Sequence, residues 1–255
     1  MKLTAALETG TTGLWYGRIA ELIGTHARAS TRAGVLDELQ SELLYHIEWM
    51  RRHGYEPPQV RGPKLVVGEE VSGIGQLGES GGEVALFRYD VKPVSKKVLE
   101  DCVRWMRYNR ADLIAQVKDL PAETMAHVPA GKKRNITQIL GHVCNAEEFY
   151  VSRLGPDADM LYESSLGMNV QEVDALPVSE RLGIVRRGCV ETLRQLVPSR
   201  GDQVFTRAQY SSYPGERWTA HKVLRRFLEH EREHIYNIRD YLGVPPRDTR
   251  PSNSI

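Results

Sequence analysis

Leu228-Glu229-His230-Glu231-Arg232-Glu233-His234-Ile235 lies within a run that contains no Gly or Pro from Glu216 to Leu242. Apolar residues recur in that run at Val223, Leu224, Phe227, Leu228, Ile235, Ile238, Tyr241 and Leu242. This spacing predicts an amphipathic helix. Residues four apart on a helix lie one above the other, so the imidazoles of His230 and His234 converge on one point. The stripe calls for an apolar side chain at position 231 or 234, yet a carboxylate and an imidazole stand there. A buried polar group costs free energy unless it is partnered, and a metal ion partners two imidazoles at once. The competing reading is a solvated helix face among Glu and Arg. A third ligand would decide between them.

Outward from this run, the chain from Ser95 reads as helices. Lys96 to Val117 is the first, bounded by Pro121. Asn135 is a good N-cap for the second, which carries Ile136, Ile139, Leu140, Val143, Phe149, Tyr150 and Leu154 and stops at Gly155-Pro156. His142 sits at the edge of that apolar stripe, beside Ile139, Val143, Ala146 and Phe149. It therefore points inward and is a candidate third ligand, although a lone His there is often a satisfied core residue. The third helix runs from near Pro177 to Val197-Pro198, and the fourth from Glu216 to Leu242. Segments 157–176 and 199–215 are expected to be irregular and to shape the mouth of a site. Tyr210 and Tyr213 within the second segment either line a pocket or cover the core. Four helices connected in this way make a bundle, and bundles build metal sites from side chains on facing helices.

Gly141-His142 followed by Ala146-Glu147, with Arg217-Trp218-Thr219 leading into Glu229-His230-Glu231-Arg232-Glu233-His234, resembles the DinB-like four-helix family over about residues 95–245. The resemblance implies an up-down bundle that binds a metal through His142, His230 and His234, often as a dimer. Some members of that family move a low-molecular-weight thiol onto or off a substrate. It implies a metal-dependent transferase or hydrolase acting on a small molecule, with such a thiol as cofactor. The alternative is a non-enzymatic, metal-stabilised regulatory or binding protein. Three neutral imidazoles suit a divalent ion such as Zn or Ni and leave a position for water or substrate. Glu229, Glu233, Asn145 and Asn109 are candidates for orienting the imidazoles; each also reads as a solvated helix residue. His230-Glu231-x-x-His234 further matches the zincin protease motif, in which Glu231 would be the general base. That class needs a third ligand downstream. After His234 there is no His or Glu, and Asn237 stands where the sharp turn needs Gly.

Residues 1–92 read as a separate module, 93–247 as the bundle and 248–255 as a loose tail. Lys2 to Glu8, a turn at Gly10-Thr11-Thr12-Gly13 and Leu14 to Ile19 predict a hairpin, and His26 to Ser30 a third strand. Thr31 caps a helix with Val35, Leu36, Leu39, Leu43, Leu44, Ile47 and Met50 on one stripe, ending near His53. This α+β order, with Leu14-Trp15-Tyr16-Gly17-Arg18-Ile19 and the Glu/Leu-rich helix, resembles the HicB family of antitoxin-like domains. It implies a module that packs against a partner. Lys64 to Val71 and Glu83 to Tyr89 are expected as two further strands, with Gly73, Gly75, Gly78, Gly81 and Gly82 in a flexible loop between them. That loop lacks a Gly-Lys-Ser/Thr ending, which argues against a phosphate cradle.

The chain has 255 residues, 41% hydrophobic and 26% charged, enough for a real core in one large or two modest domains. A formal net charge of +1 supplies no field that would recruit nucleic acid or an anionic membrane. The short basic runs Lys132-Lys133-Arg134 and Arg225-Arg226 read as solvated. Cys102, Cys144 and Cys189 are scattered and odd in number, as expected for reduced thiols in the cytoplasm. No apolar core follows Met1-Lys2-Leu3, so no signal peptide is expected, and no apolar run is long enough to span a bilayer.

Overall fold

The structure, a computed structural model, describes residues 2–57 and 62–247. The expected tail, 248–255, lies outside the described residues. The chain divides into two compact units: one takes the chain up to Asp90 with Ser211–Glu216 and Arg247, the other Val91–Tyr210 with Arg217–Pro246.

The first unit opens with strands β1 (Lys2–Gly10), β2 (Trp15–Ile19) and β3 (His26–Ala29), continues through helix α1 (Arg32–Arg52) and returns as β4 (Lys64–Ile74). The four strands form one sheet in the order β3-β2-β1-β4. β1 pairs antiparallel with β2, Thr9 opposite Trp15, and parallel with β4, Lys2 opposite Lys64. Thr31 caps α1 by accepting from the Gly34 N–H at 3.0 Å. α1 lies close over the sheet at Gly17, where a Cβ would come within 3.2 Å of the side chains of Leu39 and Leu7. The opposite face of the sheet is covered by the chain that follows β4: Ala6 and Tyr16 pack with Ile74, Leu77, Ala85 and Phe87.

That covering chain corrects the expectation of a strand at Glu83–Tyr89: it makes no ladder. The Glu83 N–H donates to the Gly75 carbonyl at 2.8 Å, and four others go to carboxylates. Val84 donates to Glu216 at 3.1 Å, Ala85 to Glu8 at 2.6 Å, Phe87 to Asp90 at 3.0 Å and Arg88 to Glu69 at 2.9 Å. Backbone donors satisfied by side chains have no need of a neighbouring strand. Glu8 is fully buried and also meets Arg18 at 2.5 Å.

The second unit is mostly helical. α2 (Lys96–Val117) is followed by the short α3 (Ala122–Ala126), then α4 (Ile136–Ser152), α5 (Ala158–Leu166), α6 (Val170–Asp174), α7 (Val178–Arg200) and α8 (Ala220–Tyr241). A two-strand ribbon, β5 (Phe205–Thr206) with β6 (Arg217–Trp218), precedes α8. α8 packs on α2 and α4, and α4 also packs on α7. Asn135 and Gln138 form a reciprocal capping box at the start of α4.

Three boundaries differ from expectation. Segment 157–176 holds α5 and α6; Gly167 ends α5 with φ 73°, and Asn169 with Glu172 forms a capping box for α6. The fourth helix starts at Ala220, because Arg217-Trp218 pairs with Phe205-Thr206 and Thr219 caps the helix through the Lys222 N–H at 3.1 Å. α7 continues through Pro198 to Arg200, although the proline has no N–H to donate to the carbonyl four residues back.

Candidate metal centre

α8 is amphipathic, yet each residue from Ala220 to Arg232 is buried, those of its charged face included. A helix in that position must find partners for its charges inside the protein. The basic pair Arg225-Arg226, expected to be solvated, is 1% and 8% exposed and donates to Glu229 at 3.2 and 3.0 Å. Arg226 also reaches the Tyr150 hydroxyl at 3.2 Å. Glu229 is therefore engaged with two arginines. Asn109 is buried as well: its amide donates to the Leu228 carbonyl at 3.0 Å and accepts from Arg232 at 3.0 Å.

Glu231 belongs to a second buried cluster. Arg110 donates to Glu231 at 2.6 Å and to Glu147 at 2.5 Å; Arg186 donates to Glu147 at 2.5 and 3.0 Å and to Glu231 at 2.9 Å. The remaining guanidinium donors take the carbonyls of Leu182 and Met106. Two guanidinium groups and two carboxylates thus balance one another with their hydrogen bonds filled. Burial alone would raise the Glu231 carboxyl, but Arg110 and Arg186 more than reverse that and hold it below its ordinary range. The zincin reading needs this carboxylate as a base facing solvent. It is instead 1% exposed and committed to two arginines, which removes that role.

The three histidines meet. His142 comes from α4, His230 and His234 from successive turns of α8. His230 Nε2 lies 3.2 Å from His142 Nε2 and 3.1 Å from His234 Nε2. One ring nitrogen from each falls within 4.8 Å of both others. His230 and His234 are 8% exposed, whereas His142 is half-buried, so the group opens to one side. Burial, assisted by Arg134, pushes the His142 imidazole down to about 4. Burial, then the neighbouring His234, holds His230 well below its usual range. Both therefore carry a free lone pair at neutral pH.

Two observations outside the histidines complete the surroundings. Asn237 places its side-chain amide 3.4 Å from His234 Nδ1, on the far side of the ring from the cluster. In the sequence, Asn237 argues against a protease turn, and its i,i+3 spacing from His234 is the signal for a contact between the two. Asn145, Phe149 and Ser152 follow His142 along α4 at helical spacing and line a cavity of about 420 Å³ with Tyr162 and Tyr210. Tyr213 instead belongs to the first unit, where its ring faces Gly75.

Residues 106–238, just over half of the chain, match the family model described as the DinB superfamily. The chain belongs to the DinB superfamily. Searches of curated proteins and of solved structures gave no match. Members of this superfamily generally bind a metal, so the histidine cluster of this DinB chain can be tested for fit. Two imidazole nitrogens at about 2.0–2.1 Å from one zinc-like ion, subtending roughly 90–109°, stand about 2.9–3.4 Å apart. The spacings of 3.1 and 3.2 Å fall inside that interval. Three ring nitrogens turned toward one point, two of them on imidazoles held neutral, bring lone pairs together, and a cation resolves that repulsion. The thiols do not compete as ligands: all three cysteines of this DinB chain are free and buried, and burial pushes Cys144 up to about 12.

Outer partners of metal-bound imidazoles typically contribute 10–100-fold to affinity. Asn237→Ala is therefore expected to weaken metal binding by about 10–100-fold in a chelator-competition titration, with the helical circular dichroism unchanged. Equal affinities would remove Asn237 from the site.

Proposed function

We propose that this protein is a metal-dependent transferase or hydrolase of a small molecule, with His142, His230 and His234 holding one divalent ion, Zn or Ni, and a low-molecular-weight thiol as co-substrate. The observation that carries the reading is the convergence of three Nε2 atoms beside a half-buried His142. A closed structural site would surround the ion on all sides; here His142 is only half-buried, and Asn145, one turn further along α4, lines a cavity of about 420 Å³, a size that suits a small ligand. When bound, the ion would act as a Lewis acid and lower the pKa of a coordinated water or thiol. The chain's own part is to hold three neutral imidazoles in place, with Asn237 fixing the His234 ring, and to offer Asn145, Phe149 and Tyr210 as the walls along which a substrate lies.

The two units are, on this reading, separate domains: a HicB-like module for partner binding and an up-down DinB-like bundle that forms a homodimer. No helix among the described residues is long and apolar enough to cross a membrane, in keeping with action on a dissolved substrate in the cytoplasm.

The test is turnover. Protein loaded with Zn or Ni is given cysteine-type thiols and a fluorogenic bimane electrophile. Thiol consumption above the blank is expected in the wild type and is expected to vanish in His142→Ala. A loaded protein that binds metal tightly, exchanges no solvent ligand and shows no turnover would instead identify a metal-stabilised binding protein.

A further inference from the structure

α2 and α7 flank a groove of about 700 Å³ that includes none of the three histidines. Its residues lie on one face of each helix: Val103, Arg107, Arg110, Ala111 and Ile114 on α2, and Arg186, Arg187, Val190, Glu191 and Arg194 on α7. The floor is neutral, because Arg110 and Arg186 are spent on Glu147 and Glu231. The walls are aliphatic, formed by Val103, Ala111 and Val190 with Ile114, which stays 43% exposed. The rim is cationic. Arg107 and Arg187 are exposed, one from each helix, and neither has a carboxylate partner among the described residues. Arg194 is already held by Glu100 at 2.7 and 2.9 Å, and Glu191, the carboxylate of the lining, accepts from the Gln195 side chain at 3.2 Å.

We propose that this groove binds a small amphipathic anion, a carboxylate on an aliphatic chain. The aliphatic walls remove the tail from water, and the exposed guanidinium groups of Arg107, which rests over the Tyr108 ring, and Arg187 supply donors suited to a carboxylate. Neither half alone accounts for the site. Exposed arginines on a bare helix face would lack the apolar trough, and an apolar trough alone would not select charge. The volume lies within the range of roughly 300–1,000 Å³ usual for small-molecule sites. The groove's lining includes none of the three histidines, so it is tested on metal-free and metal-loaded protein alike.

The experiment is a calorimetric titration at low salt with octanoate, against octylammonium and acetate as comparators. Octanoate is expected to bind saturably at one site per chain, octylammonium and acetate to bind far more weakly. The double variant Arg107→Glu/Arg187→Glu is expected to weaken octanoate by at least about tenfold, the size of one lost charge-assisted hydrogen bond. Ile114→Asp is expected to weaken it through the tail, with acetate unaffected. All three positions are exposed, so unaltered circular dichroism checks that the fold is kept. Octanoate that fails to saturate, equal binding of octylammonium, or an unaffected double variant would overturn the proposal.

Discussion

His230→Ala is expected to lose its bound ion, falling from one Zn or Ni per chain to a trace after dialysis against a weak chelator. His230 is the central member of the cluster, with its Nε2 at 3.2 and 3.1 Å from the other two. Removing it leaves His142 and His234 as two nitrogens without the third that fixes their geometry. An outer partner is worth roughly 10–100-fold in affinity, and a direct ligand must cost more than that. Because α8 is buried, His142→Ala serves as a second variant; its side chain is half-buried and its loss disturbs the packing least. His127, exposed at the end of α3, provides the control: His127→Ala should retain the full complement of metal. Metal content by mass spectrometry, together with circular dichroism, distinguishes a lost site from a lost fold.

Glu147→Ala is expected to destabilise the helical unit by about 3–5 kcal/mol, as breaking a buried ion cluster does when a charge is left uncompensated. Glu147 is 2% exposed and accepts from both Arg110 and Arg186. Without it, two guanidinium groups share the single carboxylate of Glu231 in a setting with little water. Glu147→Gln keeps the volume and removes only the charge, and should cost nearly as much. Urea unfolding followed by helical circular dichroism measures both. A loss below about 1 kcal/mol for either variant would place the cluster in contact with solvent. The effect should extend to the metal, since Glu231 is anchored in this cluster and is flanked on α8 by His230 and Arg232.

The helices and the three histidines were legible because their signals are local. Periodicity placed α2 at Lys96–Val117 as found, and Thr31 and Asn135 announced their caps. The i,i+4 pair His230 and His234 needed only one helix, and His142 needed only its position on a stripe. What escaped the sequence was the pairing of groups far apart in the chain. Glu83–Tyr89 has strand-forming residues, but the N–H groups of Val84, Ala85, Phe87 and Arg88 are taken by the carboxylates of Glu216, Glu8, Asp90 and Glu69. The charged face of α8 reads as solvated, because Lys222, Arg225, Arg226, Glu229 and Arg232 stand opposite its apolar stripe. Its burial depends on Glu147, Arg110 and Arg186 waiting on other helices. Glu231 at a position where the stripe called for an apolar residue was the one local hint. Asn237 was visible at i,i+3 from His234, but its value shows only once the direction of the ring is known.

X-ray absorption at the metal edge, on protein loaded with a single equivalent of zinc, addresses the site most directly. The account predicts three imidazole nitrogens at about 2.0–2.1 Å, with their outer-ring scattering, plus a light-atom ligand exchangeable with solvent. Sulfur in the first shell, or fewer than three imidazoles around the ion, would contradict it.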